Sequence, residues 1–269
     1  MFDQIGKIAI LNVKGEIKRE DLKKFKEIGK KILEENRHLE TVLLKKEKIK
    51  GRLRKAKYQL LAGKRVYETL HKENNCLFKL DVRKVYFNPR LASNRLYIAQ
   101  KIAHLIKTKK IKNPKILVAF AGIGVYGIVI GKFLKKEKLS YQKITLVEIN
   151  REAIKFAKEN VALNKLENFE IFQGDVKKIL PNLKEKFEII IAPRPKLKED
   201  FLKELALVAK KGSLIYYFDF VKREDFENLK EIFKEKLKRL KKKIKIIEIK
   251  KAGKISPSKL RVMIVFKLI

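Results

Sequence analysis

The chain has 269 residues, 45% of them hydrophobic, and carries 68 Lys and Arg against 31 Asp and Glu, a formal charge of +37. This length and apolar content suit one large domain, or a large and a small one, and exclude wholesale disorder. The single cysteine, Cys76, excludes an intrachain disulfide and a cysteine-based zinc cluster, and the longest apolar stretch, 116–130, falls short of the ~20 residues of a membrane span.

In chain order, KIAILNV (7–13) reads as a strand and is followed by Gly15. Residues 20–36 carry Leu22, Phe25, Ile28, Ile32 and Leu33 at steps of three and four, one face of a helix. TVLLKK (41–46) is a second strand, and 51–88 is mixed, with β-like pieces at CLFKLDV and KVYF. Residues 1–88 therefore form a small α+β unit with a basic surface. From about residue 93 the pattern changes to alternation: helix 93–107, strand 115–120, helix 124–136, strand 143–148, helix 151–164, strand 168–173, a short helix 176–181, strand 187–192, helix 198–210, strand 213–220, helix 223–240, and strands 244–250 and 261–268. Such alternation over 89–269 means an α/β fold, a doubly wound and mostly parallel sheet, with an antiparallel strand at or near one edge. Within 223–240, Phe226, Leu229, Ile232, Phe233, Leu237 and Leu240 form a stripe that packs on the sheet, and the lysines between them form a solvated outer face or touch RNA.

The cationic excess points to a polyanionic partner, nucleic acid first. A lysine-rich, heat-adapted composition is the competing explanation, but Glu does not keep pace with Lys. His38, His71 and His104 are scattered and read as structural or surface residues, so no metal site is expected. The N-terminus reads as a strand and not as a signal peptide, which points to a cytoplasmic protein with no membrane association.

Chemistry enters at LVAFAGIGVYGIVI (117–130), where an apolar run meets Gly122-x-Gly124-x-x-Gly127. A turn from a strand into a helix sets backbone N–H groups and a helix N-terminus beside a ligand. It serves the pyrophosphate of NAD or the methionine and ribose of S-adenosyl-L-methionine, and the spelling alone does not separate them. Glu148 ends the second strand, placed for ribose hydroxyls, and Asp175 ends the third, placed beside an adenine; each has an alternative as the cap of the helix that follows it. All lie at the C-terminal ends of strands, where such sheets bind ligands.

FDQIGKIAI, LLAGKRVYETLHKENNCLFKLDVRKVYFNPRL (60–91), FAGIG, EINREAIKFAKENVALNK (148–165), GDV and GSLIYYF together make the chain resemble the archaeal and eukaryotic tRNA (guanine-37-N1)-methyltransferases, in order and spacing over nearly its whole length. Many archaeal members carry a further small N-terminal domain, and the chain is expected to begin at the domain after it. The resemblance implies a Rossmann-like class I methyltransferase domain, S-adenosyl-L-methionine as cofactor, tRNA near the anticodon as partner, and a monomer. It implies a cofactor-binding set of Phe120, Ala121, Gly122, Gly124, Glu148, Ile149, Asp175, Val176 and Ala192. Arg54 resembles the family's catalytic arginine and Arg90 its signature arginine in FNPRL.

Three positions depart from that pattern. The glutamate proposed as base is Asn94 here, the acid before the glycine turn is Ala119, and the Asn-Leu-Pro motif after the fourth strand reads Ala192-Pro193-Arg194-Pro195. A neutral amide takes no proton, so Asp175 or a water in the role of base, or Arg194 steering the guanine, is left open. Three functions follow: methyl transfer to N1 of guanosine 37, a wybutosine-pathway transfer with the same cofactor, or tRNA binding without catalysis.

Overall fold

The protein, a computed structural model, is described over residues 2–13, 20–46, 56–197 and 199–269. Strands β1 (Phe2–Ile5), β2 (Ile8–Asn12), β3 (Thr41–Lys45) and β4 (Tyr58–Gly63) make a sheet in chain order, with helix α1 (Asp21–Glu35) crossing from β2 to the parallel β3. Alternation decides its two faces. Ala9, Leu11, Val42 and Leu44 pack under Ile32 of α1, while Ile5, Ile8, Ile10 and Leu43 face the core of the rest of the molecule.

A hairpin of β5 (Glu68–Glu73) and β6 (Cys76–Asp81) joins the small sheet to that core. On one side, the Gly6 N–H donates to His71 Nδ1 at 3.1 Å and the Lys7 N–H to Thr69 Oγ1 at 3.1 Å. Gly6 is left-handed, and a Cβ on it would stand 2.3 Å from Thr69 Oγ1, so this close approach requires glycine. His71 thus ties the hairpin to the turn between β1 and β2. On the other side, Cys76, Phe78 and Leu80 are fully buried in the main core. KVYF, read as β-like, instead ends a turn that starts at Val82 and then runs on without regular structure, because the Asp81 carboxylate accepts from the Arg83 N–H at 2.8 Å and bends the chain there.

The larger part has α2 (Ala92–Lys107), β7 (Lys115–Ala119), α3 (Val125–Lys136), β8 (Lys143–Glu148), α4 (Arg151–Leu163), β9 (Phe169–Gln173), α5 (Val176–Asn182), β10 (Phe187–Ala192), α6 (Leu202–Val208), β11 (Ala209–Lys222), α7 (Leu229–Lys238), β12 (Ile244–Ser256) and β13 (Lys259–Leu268). The sheet order is β12-β13-β11-β10-β7-β8-β9, with β13 antiparallel to both neighbours and the central strands parallel. This is the expected mostly parallel α/β sheet. Helices α2, α3 and α4 cover one face with Ile98, Ile128 and Phe156, and α5, α6 and α7 the other with Leu180, Leu205 and Phe233. Strand order reverses between β7 and β10, and a sheet of this kind opens a ligand crevice at that point, outside the strands' carboxyl ends. Among the described residues no helix is long and apolar enough to cross a membrane.

Candidate cofactor and active site

A cleft of about 790 Å³, open mouth included, lies at that reversal, within the range of small-molecule sites. Phe120, Gly122, Glu148, Ile149, Asp175 and Val176, six of the positions singled out in the sequence, line it. Ala121 and Ala192 are buried behind its wall and Gly124 caps α3. Arg90 and Asn94 are not on this wall, and Arg54 lies outside the described residues.

The three glycines of the turn divide into two kinds. Gly122 has a φ of +57°, and a Cβ on it would meet only the Tyr86 carbonyl, 4.0 Å away, so its backbone faces open space in the cleft. Gly124 and Gly127 face inward: a Cβ on Gly127 would stand 2.7 Å from Leu146 Cδ2, and one on Gly124 would stand 3.0 Å from Ile128 Cδ1. The first leaves room for a ligand, and the other two let α3 approach β8. Beside them Phe120 and Phe201 both adopt left-handed backbones, φ +62° and +60°, and their rings meet edge to face with centroids 4.9 Å apart. Such a backbone costs a bulky residue about 1–2 kcal/mol, and here it sets two aromatic rings on the cavity wall.

Glu148 is not the cap of α4; Asn150 is, its Oδ1 accepting from the Glu152 N–H at 3.1 Å while its Nδ2 donates to the Lys84 carbonyl at 2.9 Å. Glu148 instead accepts from the Gly122 N–H at 2.9 Å and the Asn150 N–H at 2.8 Å, which pins its carboxylate across the glycine turn. Burial raises its carboxyl above the ordinary range, and the backbone N–H groups of Asn150, Gly122 and Ile149 offset part of that rise. Asp175 does cap α5, accepting from the Lys177 N–H at 3.0 Å, and also lines the cleft, so capping and facing a ligand are compatible.

The turn after β10 is held by its own arginine. Arg194 Nη1 donates to the carbonyls of Pro195, Leu197 and Glu199 at 3.2, 3.4 and 3.3 Å, and Nη2 is paired with the buried Asp219. A guanidinium so engaged braces the loop. Asn94 is buried on α2 and donates from Nδ2 to the Ala252 carbonyl at 2.8 Å, turned toward the C-terminal hairpin. Ala119 lies in the apolar cluster with Leu117 and Val147, where an acid would be desolvated. Arg90 donates from Nε to Asp3 at 2.6 Å, bridging to β1.

Two residues that no local pattern marks stand out. Arg95 is buried and donates from Nε to Glu73 Oε1 at 2.5 Å and from Nη2 to the Asn88 carbonyl at 3.1 Å, locking the hairpin to α2 beneath FNPRL. Arg261, on β13, reaches the cavity from the far edge. Both are isolated basic residues in a lysine-rich sequence, and only the tertiary fold shows where they point.

Comparison with known proteins agrees with this geometry. The TRM5/TYW2 methyltransferase domain matches residues 69–250 and the TYW2 N-terminal domain residues 1–66. The tRNA (guanine(37)-N(1))-methyltransferase Trm5b of Pyrococcus abyssi is 35% identical over 220 residues, 81% of this chain and 59% of that protein. The tRNA (guanine(37)-N(1))/4-demethylwyosine(37)-methyltransferase Taw22 of Nanoarchaeum equitans is 39% identical over 165 residues, 61% of this chain and 48% of that one. The chain thus spans about half to three-fifths of the length of these relatives. The structure of aTrm5 with tRNALeu superposes with a TM-score of 0.82 at 26% identity, covering 100% of this chain and 72% of that one. With a cleft built of a glycine turn, a pinned carboxylate and a capping aspartate, and with the match running through all of them, the chain belongs to the TRM5/TYW2 methyltransferase family.

Proposed function

We propose that the chain methylates N1 of guanosine 37, beside the anticodon of tRNA, acting as a monomer. Support comes from the relatives and from one observation above all: the Glu148 carboxylate, tied to the Gly122 N–H at 2.9 Å, stands on the wall of a cleft whose glycine leaves open space. The cofactor of this family is S-adenosyl-L-methionine, and the cavity residues fit it. Glu148 would accept from the ribose hydroxyls, Asp175 and Val176 would border the adenine, and Phe120, Ile149 and Phe201 would offer it apolar surface. Gly122 lets the chain pass close to the thioether arm. Bound there, the cofactor supplies an electrophilic methyl group on sulfur. The exchange is balanced: N1 of guanine gains the methyl and loses its proton, and S-adenosyl-L-homocysteine remains.

This chain's own part is binding, orientation and exclusion of water. The Arg194-braced turn Pro193–Pro195 and Phe220 shape the side of the cleft where a flipped base enters. Asn94 takes no part in proton removal, since its amide is bound to Ala252. Both carboxylates on the wall are engaged, Glu148 with the Gly122 and Asn150 N–H groups and Asp175 with the Lys177 N–H, which leaves a water to carry the proton away from N1. The small sheet and the larger domain divide the labour, the first presenting basic surface to the RNA and the second holding the cofactor, with the hairpin as the link between 1–88 and 89–269.

A second reading has its own support. The match of residues 1–66 to the TYW2 N-terminal domain favours a wybutosine-pathway transfer to the same position. Mass spectrometry of a tRNA transcript incubated with labelled cofactor separates the two. A single methyl that disappears when guanosine 37 is replaced by adenosine is expected. Transfer of an aminocarboxypropyl group, or methylation only of tRNA that already carries the tricyclic base, would establish the second reading. Binding of cofactor and tRNA with no transfer would overturn both.

A further inference from the structure

Three arginines are buried among the described residues, Arg95, Arg194 and Arg261. Arg95 is paired with Glu73 and Arg194 with Asp219. Arg261 is 5% exposed, its Nε makes no hydrogen bond, and its guanidinium lies over the faces of Phe218 and Phe220, at 5.1 and 5.6 Å. It also lines the cleft. Ring faces repay part of the cost of burying a cation, but an unpaired buried charge still costs several kcal/mol. We propose that Arg261 is completed by its ligand and receives the α-carboxylate of S-adenosyl-L-methionine, an inference that rests on the cofactor reading above.

Fold, charge and lining all select that anion. First, the sheet order places β7, β10 and β11 between Glu148 on β8 and Arg261 on β13. Four spacings of about 4.8 Å separate those strands by roughly 19 Å, yet both long side chains reach one cavity. A ligand held at both ends is elongated, with hydroxyls for the carboxylate at one end and a negative charge for the guanidinium at the other. An adenosyl amino acid has this layout. Second, guanine is neutral until N1 loses its proton, so it offers Arg261 no counter-charge in the resting complex. Third, the cleft that Arg261 lines is walled with Phe120, Pro193, Phe201 and Phe220, and such a wall suits a thioether arm and a base better than a phosphodiester.

Calorimetry with two ligands tests this: S-adenosyl-L-homocysteine, and 5′-deoxy-5′-methylthioadenosine, which keeps the adenosyl thioether and lacks the amino acid group. Arg261→Gln should weaken the first about tenfold or more, the change that ~1.4 kcal/mol makes, and leave the second nearly unchanged. Arg261→Lys, which keeps the charge without the planar fork, should lie between. Equal losses for both ligands, or none for either, would overturn the proposal. If Arg261→Gln does not fold, the Lys variant carries the test: a selective loss for S-adenosyl-L-homocysteine is expected and an equal one overturns. A wild-type protein that binds neither ligand would instead sink the cofactor reading itself.

Discussion

Gly122 and Gly127 share one loop and one residue type, yet their replacements should fail differently. Gly122→Ala meets open space but a left-handed backbone, so it should cost about 1 kcal/mol of stability while lowering affinity for S-adenosyl-L-homocysteine, read by calorimetry. Gly127→Ala drives a methyl into the buried Leu146 and Ile144, and thermal melts should show a loss of about 1–3 kcal/mol. Glu148 makes a pH argument with two opposite signs. Its carboxyl is raised by burial, so affinity for the ribose should fall as pH drops through that raised value, starting above the ~4.3 of an ordinary glutamate. The free protein behaves in reverse: a raised carboxyl adds stability below the ordinary value and loses it as pH climbs through the raised one. Glu148→Gln should remove both steps; their persistence would assign them elsewhere. Asn94→Glu would set a carboxylate against the Ala252 carbonyl, so it should destabilise by about 1–3 kcal/mol and leave transfer no faster in a labelled-cofactor assay.

At the scale of elements, the alternation of strands and helices from residue 115 onward was readable because period-2 and period-3.6 patterns follow directly from which face each element buries. The misses are informative. Helix 198–210 shrinks to Leu202–Val208, because Phe201 turns left-handed before it and Ala209 is drawn into β11 opposite Phe187. The last two strands run well past their expected limits, to Ser256 and back from Lys259, since the polar stretch Lys250–Ser256 is recruited by pairing with β13 and not by its own pattern. Six residues of the cleft lining were legible, as they lie at or just after strand ends in sequence. Arg95 and Arg261 were not, for their partners lie 22 residues away in one case and on no carboxylate in the other. Burial pushes Glu73 up, but His71 and Arg95 outweigh it and hold its carboxyl below the ordinary range. A depressed carboxyl stabilises above its unfolded value and ceases to as pH falls through the folded one. Arg95→Ala should therefore cost about 3–5 kcal/mol near neutrality, and less in acid, as followed by urea unfolding across pH.

For the molecule as a whole, a formal charge of +37 predicts that tRNA affinity falls steeply with salt as counterions are released; a flat response in filter binding would contradict a phosphate-dominated interface. A different feature bears on the cohesion of the molecule, the open side of β6, the hairpin strand that packs on the main core. Asn160 on α4 and Asn164 at its C-cap, one helical turn apart, each grip one residue of β6 by both backbone groups: Asn160 bonds Lys79 N and O at 2.7 and 3.2 Å, and Asn164 bonds Leu77 N and O at 2.9 and 2.7 Å. Two amides thereby imitate a neighbouring strand, and the rim of a two-stranded ribbon, elsewhere an invitation to self-association, is shut from inside the same chain. Replacing both with alanine would leave the backbone groups of Leu77 and Lys79 without partners beneath α4, a loss of about 1–3 kcal/mol for each group so stranded, and thermal melts would register it while the cleft across the sheet kept its shape.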